Sequence, residues 1–163
     1  ISATALIKGV GKLVGGEVFT PHGATGNKDT NLESKISSAV KALDSSDVVL
    51  LHLKAFDELG HDRDFNGKVR FIEKLDPHLE NLLDLDLSNV CLIVTSDHST
   101  PVKVGDHTAD PVVVSITHED VRRDEVTRFD EFSATKGGLC RIRGMDVLNI
   151  ALDLLNISKK FGA

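Results

Sequence analysis

Apolar residues Leu6, Ile7, Val10 and Val14 recur at helical spacing in "SATALIKGVGKLV", and Gly15-Gly16 stops the pattern. Ser2 stands near the cap position of this predicted helix. "EVFT" predicts a short strand, and "PHGATGNKDTN" a loop rich in glycine and turn formers. Between residues 32 and 43, Leu32, Ile36, Ala39, Val40 and Leu43 share one side of a helix, with Asn31 as its N-cap. "DVVLLHL" is almost continuously apolar, the pattern of a strand buried on both faces. Helical spacing returns in "GKVRFIEKLDPHLENLL", interrupted at Pro77. "NVCLIVTS" and "PVVVSI" predict two further strands, a charged surface loop follows in "THEDVRRDEVTRF", and "GMDVLNIALDLLN" predicts a final helix after Gly144. Strands alternating with helices imply an α/β domain with a mostly parallel central sheet flanked by helices.

Composition narrows the function classes. The 163 residues suffice for one domain with a hydrophobic core. The 25 acidic residues outnumber the 19 basic ones, giving a formal charge of −6 and no basic stripe of the kind nucleic-acid binders carry. No apolar run reaches the roughly 18 residues of a membrane span, and no signal peptide is present, so a soluble cytoplasmic protein is expected. Cys91 and Cys140 lie far apart, and Cys91 sits in an apolar run; free thiols in a reducing compartment are expected. The chain opens on Ile1 with a helical pattern already under way, as expected of a piece of a longer protein.

Ligands of open α/β sheets gather beyond the carboxyl ends of the strands. The strand ending near Leu53 runs into Asp57 and His61; the strand ending near Thr95 runs into Asp97 and His98; the loop "VGDHTADP", with His107, leads into the third strand. Carboxylates and neutral imidazoles suit zinc, manganese and iron. Taken singly, Asp57 with His61 reads as a helix N-terminus with a surface histidine, and Asp97 as a cap after a strand. What favours a metal site is acid and imidazole at three strand ends of one small chain. Two ions about 4 Å apart serve phosphoryl transfer, and five donors are too few for both without help from other segments. His52 reads as a satisfied histidine of an apolar strand, His22 as a weak candidate, and His78 and His118 as surface residues. Ser99 has no histidine-acid relay around it to make it a nucleophile.

"DELGH", "TSDHS" and "DHTADPVVV" resemble the three C-terminal metal motifs of the alkaline phosphatase superfamily. The segments "SATALIKGVGKLVGGEVFTPHGATGNKDTN" and "FSATKGGLCRIRGMDVLNIALDLL" resemble the archaeal type of cofactor-independent phosphoglycerate mutase. The resemblance implies an alkaline phosphatase-like but incomplete sheet. It makes residues 1–163 the C-terminal part of the phosphatase domain, without the N-terminal segment and the inserted substrate domain. It implies two divalent ions, commonly manganese, with zinc, cobalt and magnesium compatible. Asp57, His61 and His107 would hold one ion, and Asp97 with His98 would help hold the other. The implied reaction interconverts 3-phosphoglycerate and 2-phosphoglycerate through a phosphoserine, in glycolysis and gluconeogenesis, on a small-molecule substrate. The serine nucleophile finds no counterpart here, so the isolated 163 residues are expected to be inactive. Rival readings are a phosphopentomutase, phosphonate hydrolase or sulfatase of the same superfamily, and a non-catalytic metal-binding domain.

Overall fold

A computed structural model describes residues 1–159. The chain forms two compact units, one of Ile1–Asp84 with Thr100–Thr108 and one of Leu85–Ser99 with Ala109–Ala163.

The first unit carries five helices: α1 (Ala5–Leu13), α2 (Leu32–Ala42), α3 (Ala55–His61), α4 (Phe65–Leu75) and α5 (Glu80–Leu83). Pro77 opens a 3-10 turn, Asp76–Leu79, between the last two, because its ring removes a backbone donor and disfavours further α-helix. Helix α2 starts where the sequence places it: the Asn31 side chain accepts from Ser34 N at 2.9 Å. Replacing Asn31 by alanine is expected to cost about 1 kcal/mol, read as a lower urea midpoint with an unchanged slope.

Leu32 of α2, Ala55 and Leu59 of α3 and Phe71 of α4 form a core in which none is more than 3% exposed. Phe56 and Phe71 meet edge to face, with ring centroids 5.0 Å apart. Ala55 and Leu59 lie one turn apart, so α3 turns that stripe to the core. Asp57 and His61, also one turn apart, share the other side.

Lys35 lies in the buried face of α2, 1% exposed. Its ammonium donates to the carbonyls of Thr25 (3.0 Å) and His52 (3.1 Å). It thereby ties the glycine-rich loop to the segment that leads into α3. Burial holds its pKa below the usual lysine range.

The second unit holds β1 (Leu92–Thr95), β2 (Val114–Thr117), α6 (Glu131–Ala134) and α7 (Gly144–Leu154). The charged loop before α6 is ordered by Asp124, which accepts from Val126 N and Gly138 N. Cys91 and Cys140 are free thiols; Cys91 is half-buried, and its burial pushes the thiol pKa up.

The sheet differs from the expectation of a mostly parallel one. Among the described residues it has two strands, β1 and β2, paired antiparallel from Leu92↔Thr117 to Thr95↔Val114. An apolar run reports burial, not the direction of its neighbour, so the pattern had no hold on this point. "EVFT" and "DVVLLHL" carry no assigned strand. They do make isolated sheet-like bonds. Ile1 N donates to Leu50 O and His52 N to Ile1 O, the spacing of a parallel pair, while Ser2 N donates to Phe19 O. One or two bonds each fall short of the repeating ladder that defines a strand.

Candidate metal site

Three side chains of the first unit converge. His61 Nε2 lies 3.3 Å from Asp57 Oδ1, His107 Nε2 lies 3.4 Å from the same oxygen, and the two nitrogens are 3.2 Å apart. Asp57 and His61 meet because they stand four apart on α3. His107 arrives on the loop that follows Thr100, and that loop is latched to α3 at several points. The Thr100 hydroxyl donates to Asp57 Oδ1 at 2.8 Å. Arg63 Nη2 donates to Val104 O at 2.9 Å, and His61 Nδ1 lies 3.2 Å from Gly105 O. Gly105, at φ +72°, gives the loop a turn that a side chain would strain.

The latch also sets the proton on His61. A carbonyl only accepts, so Nδ1 carries the hydrogen that bonds Gly105 O, and in the neutral ring Nε2 presents a lone pair to the cluster. This is the arrangement in which protein histidines bind metals, with the other ring nitrogen tied to a carbonyl.

Asp57 is held at both oxygens. Oδ1 takes the Thr100 hydroxyl, and Oδ2 lies 3.2 Å from Lys54 Nζ, which also pairs with Glu58. Burial alone would raise the Asp57 carboxyl. The Thr100 hydroxyl, then the Lys54 ammonium and His61, together hold it below the usual carboxylate range. The site is partly open, with Asp57 21%, His61 39% and His107 53% exposed at the side chain, so an ion can enter.

The donor set fits a divalent cation. Three acceptor atoms face one another with edges of 3.2–3.4 Å. Ligands about 2.0–2.1 Å from one ion at tetrahedral angles stand about 3.3–3.4 Å apart. A proton on His107 Nε2 would satisfy one of these contacts; a cation would satisfy all three.

Asp97 and His98 belong to the second unit and follow β1 directly. Asp97 Oδ1 accepts from His98 N at 3.2 Å, and its Oδ2 lies 3.7 Å from His98 Nε2. Elsewhere, His52 is half-buried with Nδ1 near the Ser2 and Thr4 hydroxyls, and His78 pairs with Glu33. His118 corrects an expectation. It is 6% exposed rather than on the surface, its Nδ1 accepts from Asp120 N, and Nε2 finds no partner among the described residues. The signal was available: His118 continues the alternate positions Val114 and Ile116 of β2, but the charges after it suggested solvent. Thr100 and Lys54 were not anticipated either, since neither residue type marks a metal site by itself.

A helix and a returning loop that bring one carboxylate and two imidazoles to a point are what a metal-binding α/β protein presents. The chain belongs to the metalloenzyme superfamily, whose family model matches residues 1–154. Over its whole length it is 73% identical to 2,3-bisphosphoglycerate-independent phosphoglycerate mutase 1 of Archaeoglobus fulgidus, covering 40% of that protein. It is 52% identical to the protein of the same name from Methanothermobacter thermautotrophicus, covering 39% of it. Among solved structures it matches that of the PH0037 protein from Pyrococcus horikoshii with a TM-score of 0.96 and 46% identity, over all of this chain and 50% of that one. The chain thus spans about two-fifths of the length of the curated relatives it matches. No helix of the described residues is long and apolar enough to cross a membrane.

Proposed function

We propose that this chain supplies part of the metal site of a 2,3-bisphosphoglycerate-independent phosphoglycerate mutase, interconverting 3-phosphoglycerate and 2-phosphoglycerate. The observation that carries the reading is the triangle of Asp57 Oδ1, His61 Nε2 and His107 Nε2, in a chain of the metalloenzyme superfamily whose archaeal relatives carry that name. Asp57, His61 and His107 hold one divalent ion, and Asp97 and His98 contribute to a second. Manganese is the favoured ion, with zinc, cobalt and magnesium admitted by the same donors. The wider domain is an alkaline phosphatase-like sheet to which this chain contributes one part.

When bound, the ions offset the charge on a transferring phosphoryl group. The chain's own residues prepare for that. Gly105 O fixes the His61 tautomer so that Nε2 is free to coordinate. Thr100 and Lys54 keep the Asp57 carboxylate ionised and aimed. The α3–loop latch holds the donors at coordination spacing.

The test is interconversion of the two phosphoglycerates by the full-length protein that carries this chain. Activity is expected to vanish on chelation and to return with manganese, and the 163 residues alone are expected to give no turnover. Activity that survives exhaustive chelation, or no interconversion at any metal loading, overturns the reading.

A further inference from the structure

The Asp57 carboxylate is not held symmetrically. Both imidazole nitrogens face Oδ1, and so does the Thr100 hydroxyl at 2.8 Å; Oδ2 faces Lys54 instead. A carboxylate oxygen has two lone-pair directions. With Thr100 taking one on Oδ1, the other is left for the histidine side. Oδ2 carries the Lys54 ammonium, whose positive charge disfavours a cation at that oxygen.

Thr100 is itself immobilised. It is 6% exposed, its carbonyl accepts from Lys68 Nζ at 3.0 Å, and it packs on Gly60, between Asp57 and His61 on α3. Its hydroxyl cannot follow the carboxylate if that group rotates. Thr100 also begins the loop that carries His107.

We propose that Thr100 is a positioning residue, fixing Asp57 as a one-oxygen ligand and setting the coordination geometry of the bound ion. This rests on the reading above that Asp57 binds metal, and nothing in Thr100's residue type or in the family match assigns it such a role.

The experiment compares wild type, Thr100→Val and Thr100→Ser in the full-length protein. Cobalt(II) is titrated by visible absorption, which reports coordination geometry, and manganese(II) by calorimetry. Valine keeps the shape and loses the hydroxyl; serine keeps the hydroxyl. The expected result is a roughly 10–100-fold loss of affinity in Thr100→Val, the size of outer-shell effects at metal sites, with an altered cobalt spectrum. Thr100→Ser is expected to restore both. Equal affinity and spectrum in wild type and Thr100→Val overturn the proposal while leaving the metal site standing. Equal losses in the valine and serine variants overturn it too, because the methyl packing would then be what matters. Failure of wild type to bind either ion removes the metal site itself, and this inference with it. If circular dichroism finds Thr100→Val unfolded, Thr100→Ala against Thr100→Ser carries the same comparison.

Discussion

Replacing His61 by alanine is expected to remove most metal binding at this site. Its Nε2 is one of three converging donors, and its Nδ1 bond to Gly105 O is one of the latches on the loop that carries His107. The substitution therefore deletes one of these donors and loosens a second. The loss should exceed the roughly 10–100-fold that outer-shell changes cost. The fold should survive, because the His61 side chain is 39% exposed and lies on the side of α3 away from the Ala55–Leu59 stripe. His78→Ala is the matched control: another histidine of the first unit, paired with Glu33. It should bind manganese as wild type does. Titration of the two variants side by side decides the matter. Unchanged binding in His61→Ala would show that the ion sits elsewhere.

What the sequence made legible was local. The Asn31 cap, the 3.6-residue period of α2 and α4 and the break at Pro77 are all set within a few residues of themselves, and the structure has them where the pattern puts them. The Asp57–His61 face was legible for the same reason, since four residues is one helical turn. What escaped was set by contacts far apart in sequence. Strand direction is one case: β1 and β2 are apolar runs whichever way they pair. Lys35 is another. A lysine in an apolar stripe reads as an exception, and only the carbonyls of Thr25 and His52, 10 and 17 residues away, explain why it is buried. Thr100 contacts Asp57 across 43 residues, which no spacing rule reaches. The converging donors of α3 and the His107 loop could be named from sequence, but the groups that aim them could not.

Within a helix, glycine is worse than alanine by roughly 1 kcal/mol, so propensity alone predicts that Gly60→Ala stabilises α3. Packing predicts the opposite. A Cβ at Gly60 would meet the Thr100 carbonyl oxygen inside any tolerable contact, with Thr100 Cγ2 at 2.9 Å and Cβ at 3.0 Å. The carbonyl is backbone, and Lys68 and the Asp57 bond hold its residue in place, so it cannot swing aside as a side-chain tip would. Overpacking of this kind costs about 1–3 kcal/mol, and a backbone clash belongs at the upper end, so packing wins. A net loss of about 1–2 kcal/mol is expected, a fall in Tm of roughly 2–8 °C for a chain of this size. Relief of the clash would lift Thr100 off α3, lengthen its bond to Asp57 and carry the His107 loop outward, so metal affinity should fall together with Tm. Gly9 supplies the comparison. It lies in α1 with nothing within 4 Å of an added Cβ, so Gly9→Ala should stabilise by up to about 1 kcal/mol and leave metal binding alone. The same chemical change is thus expected to have opposite signs at two helical glycines. A rise in Tm at Gly60→Ala would mean that Thr100 does not rest on α3, and the geometry argued for Asp57 would lose its support.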